Sequence, residues 1–141
     1  MRSRLVLALA WTLLAGAPLH AQQLPGRDPV SDQLFPPELV MSHQKAIGLD
    51  EGQKSYIRGE LLGAQTRFTQ LQWQLQDAME ALVTALRPAV VDEAQVMIHL
   101  ERVLTSEREI KRTQLGLMVR IKNRLTPEQQ SHLQRLRGKS R

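Results

Sequence analysis

Eight apolar side chains, Ile57, Leu61, Ala64, Phe68, Leu71, Leu75, Ala78 and Leu82, recur at alternating steps of four and three residues. On a helix this spacing lays them along one narrow seam of the coiled-coil kind, not on the broad face of a globular helix. Such a seam stays wet until a second helix covers it, and the only comparable segment runs from Asp92 to Leu125. No proline interrupts the chain between Asp50 and Pro88, and Arg87-Pro88-Ala89-Val90 supplies the turn. Folding back about residue 89 sets Ile57 opposite Ile121, Leu61 opposite Leu117, Phe68 opposite Ile110, Leu75 opposite Val103, Ala78 opposite Leu100 and Leu82 opposite Val96. The pattern therefore predicts an all-α fold built on a long antiparallel helical hairpin. Two positions break the match: Leu71 faces Glu107, and Ala64 faces Gln114. A charge in a dry seam is costly, so either Glu107 escapes to the edge on its long side chain, the favoured outcome, or the middle of the hairpin is open, wet or bound to something.

Helix starts are written in one idiom. Leu49-Asp50-Glu51-Gly52-Gln53 has the form of a capping box, in which the Asp50 side chain accepts from a first-turn amide and Gln53 reaches back to the cap. The device recurs at Asp92 with Gln95 and at Leu125-Thr126-Pro127-Glu128-Gln129, where the proline occupies the first helical position. A short helix is expected over Pro37 to Ile47, ended by Gly48, and a last one over Pro127 to Arg137, giving four helices with a short one at each end of the hairpin. The helical domain is thus read as residues 36–137, after a disordered lead-in over 22–35 and before a basic tail over 138–141.

Residues 1–21 read as a secretory signal peptide: Arg2 and Arg4 lead into an uncharged, mostly apolar run from Leu5 to Ala17, and Ala21 offers a small residue for cleavage. A retained anchor would need about 20 apolar residues, and Gly16, Pro18 and His20 interrupt this run too soon. The mature chain is expected in an oxidising compartment with no cysteine, so helix pairing and dimerisation must replace disulfides. Its charge is polarised. From Asp28 to Glu107 there are twelve acidic and six basic residues, and from Arg108 to Arg141 ten basic and two acidic. Export argues against nucleic acid as the partner of the basic end. It leaves anionic lipid heads, acidic proteins, the domain's own acidic half, or a solvated face whose charges also suit helix C-terminal ends.

This order of parts resembles the periplasmic Spy/CpxP family and its heavy-metal-resistance relatives of the CnrX and ZraP type. The family hallmark is a Leu-Thr-x-x-Gln motif, usually in two copies. The second copy is intact at Leu125, Thr126 and Gln129; the first, at Leu49, Asp50 and Gln53, has aspartate for threonine and keeps the capping function. The resemblance covers the chain from about Phe35 to Arg137. It implies a cradle-shaped, all-helical homodimer in the envelope of a Gram-negative bacterium, with no enzymatic activity. Some members bind unfolding envelope proteins without ATP, some restrain a sensor protein, and some bind a divalent transition metal such as zinc, copper, nickel or cobalt.

For a metal, the residues offer His43, Glu60 and His99 brought together between helices, since no His-x-x-x-His or His-x-x-x-Met spacing exists. For an unfolded client, Trp73, Met79, Met97 and Met118 lie off the main seam, with Arg58, Arg67, Arg112 and Arg120 expected to border them. The same side chains would serve equally as a dimer interface. No Ser-His-Asp order, phosphate loop or paired-carboxylate pocket is legible, so no catalytic residue is assigned.

Overall fold

The computed structural model describes residues 29–139. The chain forms a single helical turn α1 (Pro29–Asp32), then α2 (Pro37–Ser42), α3 (Glu51–Leu86), α4 (Glu93–Arg124) and α5 (Pro127–Lys139). The described residues contain no strand. Two long helices packed antiparallel, flanked by short ones, are the architecture expected from the seam. α3 has 36 residues and α4 has 32, so at 1.5 Å per residue each is about 50 Å long.

The ends are satisfied largely by side chains. Asp50 Oδ1 accepts from Gln53 N at 2.7 Å while Asp50 N donates to Gln53 Oε1 at 3.1 Å, completing the box at α3. At α4 only the first arm forms, with Gln95 N donating to Asp92 Oδ1 at 3.2 Å. The α4 carbonyl end is closed from outside, Gln130 Nε2 donating to Lys122 O and Leu125 O. α2 stops at Ser42, earlier than the expected Ile47. A run of turns carries the chain from His43 to Gly48, whose φ of +66° suits glycine and reverses the chain before Asp50. α5 continues through Gly138 to Lys139, two residues past the expected end at Arg137.

All eight seam positions of α3 are buried or half-buried, and Ile57 is fully covered. On α4 the covered positions include Val103, Ser106, Leu117 and Ile121. Glu107 is exposed, as expected; Ser106 takes the inward place and donates from Oγ to Arg102 O at 3.1 Å. A small hydroxyl that bonds its own helix turns a charge defect into a tolerable one. Gln114 is also exposed.

The expectation of a disordered lead-in over 22–35 is corrected from residue 29 onward; residues 22–28 lie outside the described ones, as do the expected signal peptide and the last two residues of the tail. From Pro29 the chain is built into the fold. Leu34 and Phe35 are buried, Phe35 at 1% exposure. The reason is in the basic C-terminal end. Arg137 donates to Asp32 O at 3.1 Å and to Leu34 O, and its guanidinium lies over the Phe35 ring. Lys122 Nζ donates to Gln33 O at 2.7 Å. Cations capture the free carbonyls just after α1, which a helix C-terminal end favours.

The core is lopsided. Phe35, Val40, Ile47, Leu49, Ile57, Ala64, Leu117, Ile121, Leu125 and Leu133 form one cluster where the short segments meet the open end of the hairpin. Farther out the buried apolar side chains are Leu71, Ala78 and Val103, while Met79, Val83, Leu86, Val91 and Met97 near the turn are exposed. Backbone amides near the turn should therefore exchange hydrogen at least about tenfold faster than those around Ile57 and Ile121, because local opening there exposes little further apolar surface. Uniform protection along both long helices, measured by mass spectrometry, would contradict this gradient.

Candidate functional site

The two motif copies, separated by 76 residues, meet. Gln53 Nε2 donates to Gln129 Oε1 at 2.9 Å and Gln129 Nε2 donates to Gln53 Oε1 at 3.0 Å. Each amide then uses its remaining capacity in the same way. Gln53 Oε1 accepts from its own cap, Asp50 N, and Gln129 Oε1 from Thr126 N at 2.9 Å. Gln53 Nε2 also donates to Arg124 O at 2.8 Å, and Gln129 Nε2 to Gly48 O at 3.3 Å. Both glutamines are under 9% exposed, and Leu49 and Leu125 are buried beside them in the core. The result is a nearly two-fold clasp joining the start of α3 to the start of α5, with every amide hydrogen and oxygen engaged. A buried primary amide is tolerated only when satisfied in this way. The equal offset of each glutamine from its leucine was the available signal; nothing local could show that the two copies touch.

One flank of the hairpin carries the main groove, of about 890 Å³. Leu61, Phe68, Leu117 and Met118 give it an apolar floor, Pro36, Pro37 and the carboxylate of Glu38 stand at its lower end, and Gln65, Gln72 and Gln114 make an amide border along its length. Of the side chains expected to bind clients, Met118 lies here. Met79, three turns beyond Phe68 along the same flank, is 43% exposed. Trp73, 62% exposed, sits on the outer side of α3, and Met97 is exposed on α4 near the turn.

The four arginines do not border this groove together. Arg67 and Arg120 line a hollow on the opposite flank with Gly59, Glu60, Gly63 and Thr113. Residues two apart on a helix, such as Gln65 and Arg67, point about 160° away from each other. Arg120 is tied to Glu60 at 2.5 Å. Arg58 is exposed on α3, and Arg112 is exposed on α4, only loosely paired with Glu109 at 3.8 Å. A single cationic rim around an apolar surface is thus replaced by a groove on one flank whose one charged lining residue is the acidic Glu38, and by separated cations elsewhere.

His43, Glu60 and His99 are not brought together. His43 follows α2, its Nδ1 within 2.9 Å of Ser42 Oγ and 3.0 Å of Leu39 O. Glu60 is held by Arg120, and His99 lies 21 residues before Arg120 on α4, roughly 30 Å away at 1.5 Å per residue. His99 Nδ1 is buried without a hydrogen-bond partner near the turn. No group of three or more His, Asp or Glu side chains placed to hold a metal ion occurs among the described residues. The helical hairpin thus defines a class of architecture, an all-α two-layer scaffold. Comparison of the chain with family models, with curated proteins and with solved structures finds no match. No helix among the described residues is long and apolar enough to cross a membrane.

Proposed function

We propose that this protein is a non-enzymatic periplasmic stress-response protein of the Spy/CpxP type that holds unfolded envelope proteins without ATP. The observation that carries the reading is the open groove from Pro36 to Met118, with its apolar floor and glutamine border. A floor of Leu61, Phe68 and Met118 gains from covering any extended apolar stretch. A border of uncharged amides bonds to a peptide backbone without demanding a sequence. Met79, Val83 and Leu86 prolong apolar exposure toward the turn, which suits a client of variable length. The expected signal peptide and the family resemblance supply the compartment, and a homodimer would widen the surface offered.

The test is suppression of light scattering by an unfolding client that aggregates alone. The protein should suppress aggregation near equimolar ratio, and Met118→Glu should weaken suppression about tenfold by placing a charge on the apolar floor. No suppression at several-fold molar excess removes the reading, and full activity of Met118→Glu moves the site off this groove.

A further inference from the structure

We propose a second, independent surface: the outer side of α4 docks on an anionic phospholipid surface. The buried positions Val103, Ser106, Leu117 and Ile121 fix which side of α4 faces α3. Directly opposite lie Leu104, Arg108, Lys111, Arg112, Leu115 and Val119, every one of them exposed. They form a stripe about 22 Å long in which Arg108, Lys111 and Arg112 make a central cationic cluster, with Leu104 on one side of it and Leu115 and Val119 on the other. Leu104, Leu115 and Val119 are each about 40% exposed. None of the hairpin's own seam needs these residues.

Charge decides among the occupants. A second copy laid antiparallel over the whole stripe would set each Lys111 against Arg112 of the other copy and each Arg108 against Leu115, placing a repulsion at the centre of the contact and cations on leucines beside it. A water-facing role explains the cations but leaves three apolar side chains repeated at helical spacing. A surface of acidic headgroups over acyl chains accommodates both, the guanidinium and ammonium groups at phosphate level and the leucines just beneath. The outer side of α3 offers no equivalent: Leu62 and Trp73 are exposed there among Thr66, Gln70, Asp77 and Glu80. Only one back of the hairpin is built this way; Arg108, Arg112, Leu115 and Val119 point away from the groove, and Lys111, one turn before Gln114, stands at the edge between the two surfaces.

The experiment is co-sedimentation of the purified protein with vesicles of phosphatidylglycerol and phosphatidylethanolamine, against vesicles of phosphatidylcholine, at low and at high salt. Each basic side chain near an anionic surface is worth about fivefold in binding, so R108Q/K111Q/R112Q should bind the anionic vesicles about 100-fold more weakly. The pair L104S/L115S should weaken binding about tenfold, and this loss should persist at high salt. All five positions are exposed, so unchanged helical circular dichroism is expected for both variants. Equal binding to neutral vesicles, or undiminished binding of the triple variant, overturns the proposal. So does a triple variant that loses self-association or binding to an acidic polypeptide while vesicle binding stays as it was. Aggregation suppression should be unaffected by R108Q/R112Q, whose positions point away from the groove, which separates failure here from failure of the groove.

Discussion

Replacing Gln129 by Ala should lower the free energy of unfolding by about 3 kcal/mol and the midpoint of thermal unfolding by more than about 10 °C. The substitution removes the amide that caps α5 and also grips the start of α3. Thr126 N and Gly48 O lose a partner, and Gln53 loses half of its bonds while staying in a site with little access to water. Unmet buried polar groups cost about 1–3 kcal/mol each, and partial entry of water holds the sum at the lower end. The clasp makes a sharper statement through coupling. In a cycle with Gln53→Ala, the double variant should be less destabilised than the two single losses together by about 1–2 kcal/mol, because the second truncation removes a group already orphaned. Additivity within about 0.5 kcal/mol would mean that the two motif copies cap their own helices and nothing more.

The largest single loss is expected at Leu133. It is fully buried and lies in the one cluster that joins α5 to Phe35, Val40 and Ile121. Leu133→Ala should cost about 4 kcal/mol in chemical denaturation, near the upper part of the range for buried leucine, because two long helices and a capped loop surround the site and collapse poorly onto the void. Leu62→Ala serves as the control. Leu62 is 68% exposed on the outer side of α3, and its truncation should change stability by less than about 0.5 kcal/mol. Similar losses at the two leucines would mean that the base of the hairpin is not the seat of the fold's stability.

Both predictions concern the open end of the hairpin, and this bears on function. A scaffold held at one end by a satisfied amide clasp and a packed cluster leaves the other end thinly covered, with its apolar side chains in water. The proposed groove begins at the firm end, at Pro36, and its flank runs toward the loose one. A client surface drawn from the less stable part can adapt to different chains without unfolding the whole.

The part of the fold legible in the letters is local. Steps of three and four between apolar residues require a helix with a narrow seam, prolines mark where helices start and turn, and an acid or hydroxyl three residues before glutamine writes a cap. These signals depend on neighbours within a turn or two, and they placed α3, α4 and the inward face of each. The escape of Glu107 to the edge followed from its charge and length, whereas the inward place of Ser106 appeared only in the packed helices.

What tertiary structure decided is which distant groups touch. The reciprocal bonds of Gln53 and Gln129 cross 76 residues, and Arg137 reaches back to the carbonyls of Asp32 and Leu34 across more than 100. No period in the letters encodes such a meeting, because each pair forms only after the helices have chosen a crossing and the short ends have docked. Phe35 looked like the end of a loose segment because its neighbours lack helical period; it is buried because a cation and a cluster from the far end of the chain cover it. The same holds for the candidate surfaces. Arg67 and Arg120 belonged with Met118 as letters, but helical geometry sent them to the opposite flank, and the seam of Ile57 to Leu82, fixed by spacing alone, became the dividing line between them.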